Sequence, residues 1–202
     1  MSEMVSIILP GMMLMWVVFI AQNGMNDIFA EQQKTTLRRM YSSTLTITQI
    51  LISKMIYCFM LCLIAEILMI IGAWLLFGMN WGNVFLLLIH LSVCNIAYVG
   101  VMTLVYSISK TIESAGALSV ILILAMAAIG GGMMPYEAMP QLMKQLSVYS
   151  FIRWGVIGID AVVEGQSMTA LIQPMTILFT IGIVTLGLGA WRFKRRIESG
   201  EL

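Results

Sequence analysis

Charge is what this sequence has least of. Only 10% of its 202 residues are Asp, Glu, Lys or Arg, while 60% are hydrophobic. A soluble domain carries about 25% charged residues, so the chain lacks the polar surface to cover a particle in water. Histidine is nearly absent too: His90 stands alone, which leaves no imidazole cluster for a metal. The three cysteines, Cys58, Cys62 and Cys94, lie in apolar runs and form no CxxC or Cys/His pattern, so they read as packed thiols. No Walker A, GxGxxG or HExxH occurs. "SAGALS" and "AAIGGGMM" lack the Lys-Ser/Thr of a phosphate-binding loop. The start, "MSEMVSIILPG", has no basic residue and so no signal-peptide n-region. By itself this polypeptide is not expected to be an enzyme.

What the chain does have is long apolar runs. A helix crossing the hydrocarbon core needs about 20 mostly apolar residues. Five stretches qualify, at 5–25, 55–77, 84–108, 115–134 and 175–191, and they predict an all-α polytopic membrane protein with a single transmembrane domain over 1–202. Residues 135–173 carry a polar group every few positions, yet Met139, Leu142, Met143 and Leu146 keep helical spacing. That pattern predicts an outer helical segment, re-entrant or interfacial, rather than a sixth crossing.

The basic residues give an orientation. Lys34, Arg38, Arg39, Lys54, Lys110, Arg192, Lys194, Arg195 and Arg196 fall on one side of a five-span chain, and only Lys144 and Arg153 on the other. The positive-inside rule then places the C-terminus in the cytoplasm and Met1 outside a plasma membrane.

The polar segment 27–54 is the longest that belongs in water. Acidic Glu31 leads and Lys34, Arg38 and Arg39 follow, as a helix dipole favours. Leu37, Met40 and Tyr41 supply an apolar patch. A short amphipathic helix, a hydroxyl-rich turn and a lead-in to the next span are expected. Such a unit lies on the membrane or fits a groove on a partner; from periodicity alone the plainer reading is a solvated basic loop marking the inner face.

Within the spans, Glu66 is conspicuous. It lies 12 residues beyond Lys54, about 18 Å along a helix and near mid-membrane. A carboxyl group there is costly unless protonated, paired or facing a polar cavity. It reads as a buried hydrogen-bonding residue, or as part of a translocation path or helix interface. Asn95 and His90 are candidate polar partners, with His90, six residues past Val84, expected near the outer interface. Small residues crowd the fourth span, and Gly182, Gly187 and Gly189 the fifth, which permits close helix contacts.

Two motifs carry a family resemblance. "TTLRRMYSSTLTITQILISK", preceded by Glu31, resembles the cytoplasmic coupling segment of ABC-2 type permeases, the membrane subunits of a class of ABC exporters. On that resemblance Glu31, Thr36, Leu37, Arg38, Arg39, Ser43 and Lys54 would couple the chain to an ATPase. Thr35 and Ser53 stand where the family often has Gly, and Thr44 where it often has Pro, so the turn would be less rigid. "AAIGGGMMPYEAMPQLMKQLSVYSFIRWGVIGIDAVVEG" is similar to the family's outer gate or re-entrant motif, with Gly131, Gly132, Pro135, Met139 and Pro140 in the matching places. The Pro usual near the end of that segment is missing around Tyr149-Ser150.

The resemblance covers nearly the whole chain but only the C-terminal half of a usual subunit. It corresponds to helices two to six of a type V exporter-like fold, with the first helix and outer region absent. It implies a bacterial or archaeal ATP-driven exporter of amphiphilic substrates such as drugs, lipid-linked molecules or hydrophobic peptides. The implied partners are cytoplasmic ABC ATPase subunits carrying ATP and Mg, a second permease subunit in a homodimer or heterodimer, and membrane lipid. No cofactor bound directly and no nucleic acid is implied. Two other readings fit the same residues: a non-transporting membrane adaptor or immunity protein, and a proton-coupled secondary transporter using Glu66.

Overall fold

A computed structural model describes the backbone of residues 2–33 and 47–198. Every regular element in these residues is helical, as backbone placed in lipid must be when it is not a closed barrel. The long helices are α1 (Ser2–Gln33), α2 (Ile47–Phe77), α3 (Val84–Ile108), α4 (Ile112–Gly130) and α7 (Met168–Glu198). Each holds a stretch long and apolar enough to cross a membrane. Between α4 and α7 lie two short helices, α5 (Gln141–Leu146) and α6 (Phe151–Val163). The chain bends by 94° between them, so they form a helical hairpin. The protein is an all-α polytopic membrane protein.

Helix ends follow local chemistry. Asn83 caps α3 by accepting from the backbone N–H groups of Phe85 and Leu86. Thr111 and Ser114 close a reciprocal capping box at the start of α4, which satisfies two N–H groups that would otherwise be orphans. The α2–α3 turn uses Gly78 and Gly82, both at φ +64, a conformation costly for residues with a Cβ. Hydropathy marks only the lipid-covered part of a helix, so α2 begins at Ile47 rather than 55. α7 starts at Met168 rather than 175 and runs through Pro174.

α1 and α3 form the centre, with 56% of each apolar window buried, against 22% in α2, α4 and α7. The three peripheral helices turn Ile64, Leu68, Ile121, Ile183 and Leu188 outward, which suits lipid rather than water. α3 and α7 pack most intimately. A Cβ on Gly100 would lie 2.5 Å from Thr185 Oγ1, one on Gly182 2.7 Å from Ile96 Cγ2, and one on Gly189 2.9 Å from the Leu104 nitrogen. Lipid supplies no hydrophobic force between helices, so close backbone approach of this kind is what holds them together.

The bundle has two distinct ends. Lys54, Lys110 and Arg192–Arg196 belong to the basic end, where Arg196 reaches from α7 to the carbonyls of the buried Ser107 (3.2 Å) and Ser109 at the end of α3. The opposite end holds the α2–α3 turn and the α5–α6 hairpin. There Trp81 donates its indole N–H to the Ile70 carbonyl at 3.1 Å.

Candidate functional site

Three polar places interrupt the apolar bundle. The deepest lies between α2, α3 and α6. Asn95 Nδ2 donates to Glu66 Oε2 at 2.7 Å, and Glu66, His90, Asn95 and Tyr98 are all wholly buried. The expected Glu66–Asn95 partnership is therefore present. His90, expected near the outer interface from its distance to Val84, is wholly buried. It lies under α6, with Nε2 3.0 Å from the Gly155 carbonyl and 3.5 Å from Cys94 Sγ. The reason is on α6: a Cβ at Gly158 would collide with the His90 ring, and one at Gly155 would sit 2.7 Å from Tyr98 Oη. Two glycines three residues apart thus let α6 fold down over the imidazole. Phe151, at the start of α6, packs in a tilted arrangement 5.6 Å from the Tyr98 ring.

This cluster is short of partners. Glu66 Oε1, His90 Nδ1 and Asn95 Oδ1 have none among the described residues, and each orphaned polar atom costs about 1–3 kcal/mol. Groups so placed mark a functional constraint or a buried water more often than a stability device. The cluster can orient a dipole, hold a water or fix α2 against α3.

The second place lies toward the basic end. Gln22 Nε2 donates to the Gly116 carbonyl at 3.3 Å. Tyr106 Oη donates to Asn26 Oδ1 and approaches the Gln22 carbonyl at 3.4 Å. These bonds tie the last turns of α1 to α3 and α4. Of the expected coupling residues, Glu31 stands in the final helical turn of α1 and Lys54 is half-buried near the start of α2. Thr36, Leu37, Arg38, Arg39 and Ser43 lie outside the described residues. α1 and α2, which bracket them, are neighbours: Cys62 Sγ lies 3.7 Å from the Val17 carbonyl, and a Cβ on Gly24 would meet Cys58 Sγ at 2.7 Å.

The third place is the hairpin end. Gly131 ends α4 in the left-handed region at φ +93, and Gly132 N–H bonds back to the Ala127 carbonyl at 2.9 Å. Gly11 of α1 packs directly on the Gly131 carbonyl. Pro135 and Pro140 lead into the 3-10 turn Tyr136–Ala138 and into α5, and Met139 between them is buried. Ser150 then serves two helices: its Oγ–H donates to the Met126 carbonyl at 2.7 Å, and its Oγ accepts from Arg153 N–H at 3.3 Å. An open cavity of about 270 Å³ lies along α6, with Arg153, Asp160 and Tyr136 in its lining.

Sequence reasoning did not single out Gln22, Asn26, Tyr106, Gly155, Gly158 or the Arg153–Asp160 face as site residues. Polar Gln22 and Asn26 inside an apolar run were a readable signal, as was the Gly155/Gly158 spacing. Among the described residues no group of three or more His, Cys, Asp or Glu is placed to hold a metal ion.

Five apolar helices long enough to cross a membrane, a bent helix pair after the fourth and a buried polar cluster between them define a polytopic membrane domain. A family profile settles which one: the ABC-2 family transporter protein profile matches residues 1–191, and the chain belongs to that family. It is also similar to the linearmycin resistance permease protein LnrN of Bacillus subtilis (strain 168), 18% identical over 180 residues. That match takes in 89% of this chain and 47% of the relative, so the chain spans about half the relative's length.

Proposed function

We propose that this chain is a transmembrane permease component of an ATP-driven exporter, with ATP and Mg held by separate cytoplasmic ABC subunits and a second permease subunit completing the path. Family membership supports the permease role. The observation that carries the coupling mechanism is the pairing of α1 and α2, adjacent helices that deliver both ends of segment 34–46 to the basic end. On the positive-inside rule that end is cytoplasmic. ATPase closure would push on Glu31, Thr36, Leu37, Arg38, Arg39 and Ser43. The push would travel along α2 from Lys54 to Glu66 and across to α3 through Asn95, while Gln22 and Asn26 carry it from α1 to α4 and α3. The Gly131–Pro140 motif would gate the opposite end.

The substrate class favoured is amphiphilic: a drug, a lipid-linked molecule or a hydrophobic peptide. The relative is named for linearmycin resistance, and an exporter role for this chain would fit a resistance function. Complete burial of Glu66 against Asn95 favours a helix clamp over a proton carrier.

The test is affinity capture of the membrane-expressed chain with and without Arg38→Glu/Arg39→Glu, with partners identified by mass spectrometry. Recovery of a nucleotide-binding ATPase that is lost on charge reversal is the expected result. An intact, membrane-inserted chain that captures no ATPase would end the exporter reading and return attention to an adaptor or immunity role.

A further inference from the structure

α6 presents Arg153, Val156 and Asp160 along one stripe, three to four residues apart, with Glu164 at the helix C-cap in line with them, and all four line the 270 Å³ cavity faced by Tyr136 and Glu137. Arg153 is held in place. Its backbone N–H is fixed by Ser150, and its guanidinium lies 3.7 Å over the Tyr136 ring. Stacking uses the flat face of the guanidinium and leaves its edge donors to point elsewhere. Although three carboxyl groups line the same cavity, none among the described residues forms an ion pair with Arg153. The cavity therefore holds a fixed cation and anions that act on one another across the space without closing a contact ion pair.

A ligand carrying one charge fits this poorly. A simple anion would reach Arg153 but face three carboxyl groups, and a simple amine would reach the carboxyl groups but face the guanidinium. Discrimination of this sort works by repulsion as well as attraction. We propose that the cavity binds a zwitterionic head group, with a phosphate or carboxylate on the Arg153 fork and an ammonium toward Asp160 and Glu164. Val156, between Arg153 and Asp160 on the stripe, gives the connecting carbons an apolar wall. A volume of about 270 Å³ falls below the range of about 300–1,000 Å³ typical for drug-sized ligands. It suits a head group, with any tail left in lipid. The head group of a membrane lipid and a free soluble zwitterion share this chemistry. The site stands apart from ATPase coupling, and its test needs neither nucleotide nor a partner subunit.

The experiment is calorimetric titration of the full chain, reconstituted in phosphatidylglycerol nanodiscs, with glycerophosphoethanolamine, inorganic phosphate and ethanolamine as separate probes. Saturable binding of the zwitterion is expected, with each single-charge probe at least tenfold weaker. Arg153→Gln should remove most of the affinity. Glu164→Gln, at an exposed position, should weaken binding several-fold while leaving the melting temperature unchanged. Repeating the titration with phosphatidylethanolamine in the discs separates the sources: competition identifies a lipid head group, and its absence a soluble zwitterion. Phosphate or ethanolamine binding as tightly as the zwitterion would overturn the proposal. So would a zwitterion affinity unaltered in Glu164→Gln and Asp160→Asn, or no saturable binding by a protein that melts cooperatively.

Discussion

Asn95 on α3 donates its amide N–H to Glu66 Oε2 on α2 across 2.7 Å of buried interior, and Glu66 Oε1 and the Asn95 Oδ1 are left without a partner. The two residues satisfy each other halfway. A glutamine at 66 would keep the acceptor for Asn95 Nδ2 and add an amide donor for the orphaned Asn95 Oδ1. Glu66→Gln is therefore expected to retain or raise thermal stability in detergent. Glu66→Leu strands the Asn95 amide and should cost about 1–3 kcal/mol. Adding Asn95→Leu should recover part of that loss, with a coupling near the ~0.6–2 kcal/mol found for polar pairs in membranes. Equal destabilisation by Gln and Leu would show that the pair is not held by this hydrogen bond.

Glycines divide sharply by surroundings. A Cβ on Gly182 would lie 2.9 Å from the Ile96 carbonyl carbon, which is backbone and cannot move aside, whereas Gly187, five residues on, has nothing within 4 Å. Gly182→Ala should loosen the α3–α7 pair and lower the melting temperature by several degrees, in line with the ~1–3 kcal/mol cost of overpacking. Gly187→Ala should be neutral or slightly stabilising, since alanine is the better helix former. Melting curves of the two variants, measured side by side, decide the point.

This contrast shows what the sequence could convey. The five crossings were legible because about 20 apolar residues in a row admit few other outcomes. The Glu66–Asn95 pairing was legible because polar residues buried in lipid must find each other. The contact of α6 with His90 was not. It depends on Gly155 and Gly158 lying opposite a residue more than 60 positions earlier, and glycine spacing in a short apolar stretch does not say what it faces. The Tyr106–Asn26 bond joins positions 80 apart. Arg153 entered the sequence reading only as a charge on the minority side, since stacking on Tyr136 is a property of the folded hairpin.

Cys58, Cys62 and Cys94 are free and buried. Cys58 is pressed against Gly24, Cys62 against the Val17 carbonyl, and Cys94 against His90. Thiol reactivity requires exposure of the thiolate. A membrane-impermeant maleimide should therefore leave the native protein unlabelled and modify three sites per chain after denaturation. Rapid labelling of Cys62 in the native state would mean that α1 and α2 separate, contrary to the packing through which coupling is proposed to travel.

Asp160, half-buried in the hairpin outside the five crossings, has its pKa raised from 3.8 to about 6. Burial is the main cause; the Arg153 charge pulls it back, while Glu164 and Glu137 push it further up. The folded state thus holds a proton between about pH 4 and 6 that the unfolded chain gives up. Stability from this group is fully present below about pH 4 and is lost as pH rises through about 6. Asp160→Asn removes the charged form and with it this slope. Thermal melts in detergent from pH 4.5 to 8 should show the variant gaining on the parent protein with rising pH, with most of the change complete by pH 7. A melting-temperature difference that stays flat across the range would mean that the Asp160 carboxylate is already well solvated by the cavity, and that burial does not govern its ionisation.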